Sequence, residues 1–229
     1  YVSGGGNYCR FSPATLMINL SNSSDRCWAT LTNDVFMAPF LSEDQCRSLL
    51  YAIKNQPEKS KNTLDNPNNM HEYGAILHDP DLRAWINELA NTTLKETIQE
   101  KFPGMPGHYF SSHHSFITIY GKDANQDLSL HVDASHITLN ICLENQAQGA
   151  DLVFTGTRCR DHVDTLPDDP MTRLTFRAGD AVLHAGNQRH FVTDLESGSH
   201  TNLVIWMRLE GEACDHANPW VVKRCPICQ

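Results

Sequence analysis

The sequence predicts an α+β fold in which two helices precede an antiparallel sandwich or open barrel of short strands. Its 229 residues, 40% of them hydrophobic, suffice for one sizeable core. Apolar residues recur at helical spacing in two segments between residues 42 and 102. After residue 107 they instead form short runs separated by Gly, Asn and Asp, which is typical of strands joined by turns.

The helices are predicted from a cap and from apolar stripes. Ser42 and Gln45 have the spacing of a capping box, so the first helix begins after Ser42. Its apolar face consists of Cys46, Leu49, Leu50 and Ile53. The second helix spans residues 79–102, with an apolar stripe of Leu82, Trp85, Ile86, Leu89, Leu94 and Ile98. Strands are expected at residues 115–120, 128–132, 137–143, 151–154, 174–176, 181–184 and 200–207.

Three regions differ in composition. Residues 1–34 are rich in Gly, Ser and Asn and are expected to be an extension of low order. Residues 35–210 form the predicted domain, and residues 211–229 form a tail that contains three of the eight cysteines.

Charge and hydropathy exclude two classes of partner. The net charge is −9, with 18 Lys and Arg against 27 Asp and Glu, and no basic run is present, so nucleic acid is not expected as a partner. No apolar run approaches the roughly 20 residues that cross a bilayer. Membrane contact is therefore expected only through a segment missing from this sequence. The cysteines favour the secretory pathway, the ER lumen or the extracellular space, with the cytoplasm as the alternative.

A metal site is predicted around His131-Val132-Asp133. Residues two apart point to the same face of a strand, so His131 and Asp133 can bind one metal ion together. A histidine from a distant strand, either His184 or His190, would supply a third ligand. Two histidines and one carboxylate leave coordination positions open, an arrangement typical of non-haem Fe(II) oxygenases.

Five further motifs occur in a fixed order along the chain. They are Phe40-Leu41-Ser42-Glu43-Asp44-Gln45-Cys46, Tyr120-Gly121, Gly149-Ala150-Asp151-Leu152-Val153-Phe154, Gly179-Asp180-Ala181-Val182-Leu183-His184, and the run from His190 to Trp206. Together they resemble the prolyl 4-hydroxylase-like family of 2-oxoglutarate/Fe(II)-dependent dioxygenases, over about three quarters of the chain.

The resemblance implies a double-stranded β-helix, the jelly-roll or cupin-like core, with supporting N-terminal helices. Its spacing assigns the metal ligands to His131, Asp133 and His190 and leaves His184 in the pocket wall. It implies that Fe(II), 2-oxoglutarate and O2 together hydroxylate a prolyl residue of a peptide or protein, with ascorbate as an activator and succinate and CO2 as co-products. The alternatives are a small-molecule substrate, or a non-catalytic metal-binding or peptide-binding domain on the same scaffold.

One position departs from the family pattern. His200 stands where the family places Arg or Lys, ten residues after the distal histidine, to pair with the 5-carboxylate of 2-oxoglutarate. The expected solution is that His200 binds this carboxylate together with Tyr120. A basic residue from elsewhere could replace it, or the co-substrate could be weakly bound or different. The candidate basic residues are Arg173, Arg177 and Arg189.

The tail predicts a structural cross-link. Cys214-Asp215-His216 and Cys225-Pro226-Ile227-Cys228 have the short spacings of a Cys₃His zinc knuckle. Disulfides from Cys214 to Cys225, Cys228 or Cys159 fit equally well. A disulfide is also expected between Cys9 and Cys27.

Overall fold

The computed structural model describes residues 27–56, 66–107, 109–166, 170–214 and 218–228. Within them the helices are α1 (Glu43–Lys54), α2 (Pro80–Glu88), α3 (Lys95–Lys101) and α4 (Pro219–Arg224). The strands are β1 (Ala29–Thr32), β2 (Val35–Pro39), β3 (Gly74–Ile76), β4 (Phe110–Gly121), β5 (Leu128–His131), β6 (Ile137–Asn145), β7 (Gln148–Gly149), β8 (Leu152–Thr157), β9 (Thr172–Leu174), β10 (Asp180–Ala185), β11 (Gln188–Val192), β12 (Leu195–Ser197) and β13 (Ser199–Leu209).

The strands form two main antiparallel sheets. The major sheet has the order β1-β2-β10-β6-β13-β4-β3, and the minor sheet has the order β5-β11-β8-β9. Strands β12 and β7 form a separate two-stranded sheet. Strand order 10-6-13-4 means that distant segments of the chain become neighbours, as in a jelly roll. The predicted double-stranded β-helix is confirmed.

Alternate residues of the strands in the major sheet point to opposite faces, so their apolar side chains pack into two separate cores. On β6, Leu139 and Ile141 face the helices and join the larger core, whereas Cys142 joins the smaller core with residues of the minor sheet. On β10, Leu183 and Val182 divide in the same way. The helices therefore cover one face of the major sheet. Its other face looks towards the minor sheet, and the polar cavity lies there.

The helix predictions are confirmed in part. Ser42 and Gln45 form both hydrogen bonds of a capping box at the start of α1. The second predicted helix, however, is interrupted at Leu89–Thr93 by a π-helical turn closed by the Leu94 N–H to Leu89 carbonyl bond. Asn91, within this turn, donates to and accepts from the backbone of Phe110 through its side-chain amide.

The N-terminal boundary lies earlier than the sequence indicates. Residues 1–26 are outside the described part of the chain, so their predicted low order remains a prediction, and so does the disulfide from Cys9. Strand β1 falls within the predicted extension, yet it pairs with β2, and Trp28 is buried in the larger core. The described helices include none that is long and apolar enough to cross a membrane.

The tail differs from its predicted arrangement. The Cys214 thiol lies 3.3 Å from Nδ1 of His136, well inside the domain, and His216 is outside the described residues. Cys225 and Cys228 instead approach Cys159 and His162 in the segment after β8. The seven cysteines that the structure describes form no disulfide with one another. The predicted zinc knuckle and the disulfides from Cys214 are therefore wrong in their partners, because α4 carries Cys225 and Cys228 back against the domain.

Candidate active site

The structure brings His131, Asp133 and His190 together at one end of the minor sheet. His131 ends β5 and pairs directly with His190 on β11, while Asp133 follows two residues after His131. Asp133 Oδ1 lies 3.4 Å from His131 Nε2 and 3.7 Å from His190 Nε2. One ligand atom from each residue therefore points to a shared centre, with all three atoms within 4.8 Å of one another.

Hydrogen bonds orient each of these side chains for metal binding. Nδ1 of His131 lies 2.8 Å from the Ser129 carbonyl, and Nδ1 of His190 lies 2.8 Å from the Gln188 carbonyl. A carbonyl can only accept, so each Nδ1 carries the proton and each Nε2 keeps its lone pair for a metal ion. The Thr138 hydroxyl donates to Asp133 Oδ2 at 2.6 Å, which leaves Oδ1 towards the centre. This donor set fits Fe(II).

The protonation states agree with this arrangement. Burial lowers the pKa of His190 to about 3, so its imidazole is neutral at physiological pH. Burial by itself would raise the pKa of Asp133, but the neighbouring His190 and His131 hold that pKa well below its usual range. The site thus presents His190 as a neutral imidazole and Asp133 as a carboxylate, the forms in which these groups bind metals.

Gly186 holds the two ligand-bearing segments against each other. Its carbonyl accepts from the Asp133 N–H at 2.8 Å, and its own N–H donates to the His136 carbonyl at 2.9 Å. A Cβ at residue 186 would lie 1.9 Å from the Ser135 carbonyl oxygen, so only glycine permits this approach. The β10–β11 hairpin, which carries His190, is thereby fixed relative to Asp133.

His184 lies beside the three converging groups. Its Nε2 is 3.8 Å from Oδ2 of Asp133, the carboxylate oxygen that Thr138 already binds. Its Nδ1 is 2.9 Å from the Ala185 carbonyl. His184 is fully buried and lines the cavity, which is the position that the family resemblance implies for it.

His200 and Tyr120 lie together in the same cavity. They are paired across β13 and β4, and their ring centroids are 4.6 Å apart. Burial lowers the pKa of His200 to about 4, so this side chain is a neutral imidazole rather than a cation at physiological pH. Its Nε2 is buried and has no hydrogen-bond partner in the described structure. The Tyr120 hydroxyl lies 3.1 Å from Nε2 of His71.

None of the arginines considered as substitutes lines the cavity. Arg173 pairs with Asp151 at the surface, and Arg177 is exposed. Arg189 is completely buried, but its guanidinium donates to carbonyls in the segment after β8, away from the cavity. Among the described residues, the lining of the cavity contains no lysine or arginine.

Further polar residues line the cavity that sequence reasoning missed. Asn202 and Asn140 each have a buried side-chain oxygen without a hydrogen-bond partner among the described residues, as does the Trp206 indole nitrogen. Asn202 and Trp206 follow His200 at intervals of two along β13, so strand periodicity could have identified them. His71 belongs to an irregular loop, and no pattern in the sequence marks it.

Comparison with known proteins adds independent information. No protein-family model matches the chain. Over 178 residues the chain is 36% identical to the 2-oxoglutarate and iron-dependent oxygenase domain-containing protein CP2 of Arabidopsis thaliana, an alignment that covers 76% of this chain and 45% of that protein. It is 30% identical over 195 residues to human 2-oxoglutarate and iron-dependent oxygenase domain-containing protein 2, covering 85% and 51% respectively. The chain spans about half the length of these relatives.

The chain is a homologue of 2-oxoglutarate and iron-dependent oxygenase domain-containing proteins.

The fold agrees with this family. A Pseudomonas putida prolyl-4-hydroxylase superposes with a TM-score of 0.54 at 16% identity, covering 79% of this chain and 95% of that one. The cofactors of an oxygenase of this family are Fe(II) and 2-oxoglutarate, and the converging His131, Asp133 and His190 suit the iron. Among the described residues, the cavity beside them contains no lysine or arginine, in contrast to the family pattern.

Proposed function

We propose that this domain couples oxidation of 2-oxoglutarate to succinate and CO2 with hydroxylation of an unactivated C–H bond, and that the bond belongs to a prolyl residue of a peptide or protein. The convergence of two Nε2 atoms and one carboxylate oxygen carries the proposal. In each of the three groups the other polar atom is hydrogen-bonded to the protein, which leaves the converging atom to bind a metal ion. Bound Fe(II) supplies the activation of dioxygen.

The protein residues define how the metal is presented. His131, Asp133 and His190 would hold the ion at the wall of the cavity, and the cavity would admit the reactants. Asp133 also bears on the reaction type, since transfer of a halide to the substrate would need the metal position that this carboxylate would take as a ligand. Retention of Asp133 therefore favours hydroxylation.

In this proposal the co-substrate meets no lysine or arginine among the described residues. We assign His200 Nε2 as a donor to the 5-carboxylate of 2-oxoglutarate, on the grounds that it lines the cavity and is otherwise unpaired. The Tyr120 hydroxyl donates to His71 Nε2, because His71 Nδ1 contacts the accepting Oδ1 of Asn68, so we assign it as the second donor after it turns from His71 to the carboxylate. A neutral donor stabilises a carboxylate less than a guanidinium does. We therefore expect His200→Leu to raise the KM for 2-oxoglutarate about tenfold, the equivalent of one hydrogen bond. His200→Arg should lower this KM, and iron affinity should change in neither variant.

The prolyl substrate is supported by the fold shared with the Pseudomonas prolyl-4-hydroxylase. The test is succinate release from 2-oxoglutarate in the presence of Fe(II), ascorbate and proline-containing peptides, with mass spectrometry of the peptide for one added oxygen atom. Matched peptides in which alanine replaces proline, and the His131→Ala protein, serve as controls.

The outcomes separate the possible functions. Oxygen added to the proline peptide alone supports the proposal. Succinate release that no peptide stimulates contradicts a prolyl substrate and favours a small molecule. Iron binding without any succinate formation contradicts catalysis and favours a non-catalytic binding domain on this scaffold.

A further inference from the structure

A second cluster of metal-binding side chains lies outside the active site. The thiols of Cys159, Cys225 and Cys228 and Nδ1 of His162 all lie within 4.8 Å of one another. The His162 nitrogen is 3.2 Å from the Cys159 sulfur, 3.5 Å from that of Cys225 and 3.4 Å from that of Cys228. The sulfurs of Cys159 and Cys228 are 3.5 Å apart. Four soft or intermediate ligand atoms thus surround one point.

These separations are equal to or slightly shorter than those of a tetrahedral zinc site. With Zn–S of about 2.3 Å and Zn–N of about 2.0 Å, tetrahedral ligands lie roughly 3.5–3.8 Å apart. A disulfide would require its two sulfurs at about 2.05 Å. The cluster therefore has the spacing of atoms that share a small ion, and three thiolates with one imidazole are ligands that zinc prefers. All four positions are filled by protein, so the site is closed, as in structural rather than catalytic zinc sites.

The backbone presents these ligands in two similar turns. His162 donates its N–H to the Cys159 carbonyl at 3.1 Å, and Cys228 donates to the Cys225 carbonyl at 3.1 Å. Each turn places two side chains three residues apart on the same side, the spacing used by zinc knuckles. The second turn follows directly after α4, which Asn218 caps at its N-terminus.

The cluster is continuous with the active-site strand through buried contacts. Cys159 and Cys225 are almost completely buried in the larger core. The segment after Cys159 offers the carbonyls of Val163 and Leu166 to the buried guanidinium of Arg189. Arg189 immediately precedes His190, so the cluster and the third iron ligand are joined through one side chain.

We propose that Cys159, His162, Cys225 and Cys228 bind a structural zinc ion that fastens the C-terminal segment and the segment after β8 to the domain. The ion neutralises thiolates buried in an apolar core and fixes the carbonyls that hold Arg189. Without zinc, α4 is no longer fastened to the segment after β8, and Arg189 near the start of β11 is held less rigidly. The iron ligands themselves remain present.

Metal analysis of the intact protein tests this proposal. Elemental analysis should find one zinc per chain in the wild type and in His190→Ala, in which the iron site is disabled. Zinc should fall at least tenfold in Cys225→Ser and in Cys228→Ser. Cys214→Ser is the matched control, because Cys214 is also a cysteine of the C-terminal region but lies against His136, and it should keep its zinc.

A spectroscopic measurement covers variants that fail to fold. Co²⁺ added to the zinc-depleted wild type should give the visible and near-ultraviolet absorption of a tetrahedral thiolate complex, at one equivalent. His162→Cys should retain metal with an altered Co²⁺ spectrum, since four cysteines also bind zinc.

Three results would overturn the proposal: zinc lost in His190→Ala but kept in Cys225→Ser, a disulfide between any two of the three cysteines, or Co²⁺ without thiolate absorption. None of these readouts depends on oxygenase turnover.

Discussion

The two oxygens of Asp133 distinguish the histidines that surround it. Oδ1 faces His131 and His190, whose Nδ1 atoms are both bound to backbone carbonyls. Oδ2 accepts from Thr138 and lies nearest to His184. A metal ion placed against Oδ1 is therefore bound by His190, whereas His184 lines the cavity without binding the ion.

At this scale we predict a difference between two alanine variants. His190→Ala should weaken Fe(II) binding at least about 100-fold, because a direct ligand is lost, whereas His184→Ala should weaken it by less than about tenfold. Anaerobic titration of the zinc-loaded variants with Fe(II) measures both affinities. Equal losses in the two variants would contradict the assignment of the third ligand.

Single residues differ in how far the sequence reveals them. His131 and Asp133 are predictable because a strand of period two places both on one face, and His190 follows from its distance to the closing strand. His71 is not predictable, since its contact with Tyr120 depends on how an irregular loop folds over β4. The neutrality of His200 is equally hidden, because it results from burial between two sheets.

At the level of elements, the β10–β11 hairpin is positioned by a backbone contact at Gly186. The contact exists only because residue 186 lacks a side chain. We predict that Gly186→Ala moves the hairpin away from Asp133, which lowers the free energy of unfolding by roughly 1–3 kcal/mol and weakens Fe(II) binding.

Gly107→Ala is the matched control, because a Cβ there would meet only the Leu209 side chain at 3.7 Å. Urea unfolding and Fe(II) titration of both variants decide the matter. If Gly186→Ala bound iron as the wild type does, the hairpin would not be positioned by this contact.

The helical elements show where periodicity fails. The stripe of the second predicted helix has a gap of five residues from Leu89 to Leu94, and the structure forms an i→i+5 hydrogen bond across that gap. The interruption was therefore visible in the spacing. The contact that stabilises the π-helical turn was not visible in the sequence. Asn91 binds the backbone of Phe110, and Phe110 comes near only after β4 has joined the sheet.

For the whole molecule, buried neutral histidines make stability depend on pH. The pKa values of His71, His113 and His200 are lowered from 6.5 to about 4, in each case chiefly by burial. Between these two values the unfolded chain binds more protons than the folded chain. The free energy of unfolding should therefore decrease as the pH falls from about 6.5 to about 4, and these groups should add no further loss below that.

His113 isolates the effect, because it lies outside both metal-binding clusters and its Nδ1 contacts the Ser115 hydroxyl. We predict that in His113→Gln, which keeps a polar partner for Ser115, the free energy of unfolding decreases less steeply as the pH falls. Between pH 6.5 and 4 the difference in slope from the wild type should correspond to close to one bound proton per molecule. Chemical denaturation at a series of pH values measures the slope. Identical slopes for the variant and the wild type would contradict the prediction.

The layered architecture was predictable as a whole, and the pairing of its strands was not. Alternating apolar residues indicate which segments are strands. The order β10-β6-β13-β4, however, joins segments that lie far apart in sequence, and single-sequence periodicity carries no information about such partners. The same holds for Cys225 and Cys228, whose partners His162 and Cys159 are 63 to 69 residues away.

That separation has a consequence for folding kinetics. A metal ion that joins Cys159 to Cys228 closes a loop that contains β9 to β13, including the strand with His190. In the denatured chain such a closure removes conformational entropy on the order of 4 kcal/mol. A chain that unfolds with its metal still bound thus begins refolding from a restricted ensemble, and it should regain the native sheets faster than a chain that has lost the metal.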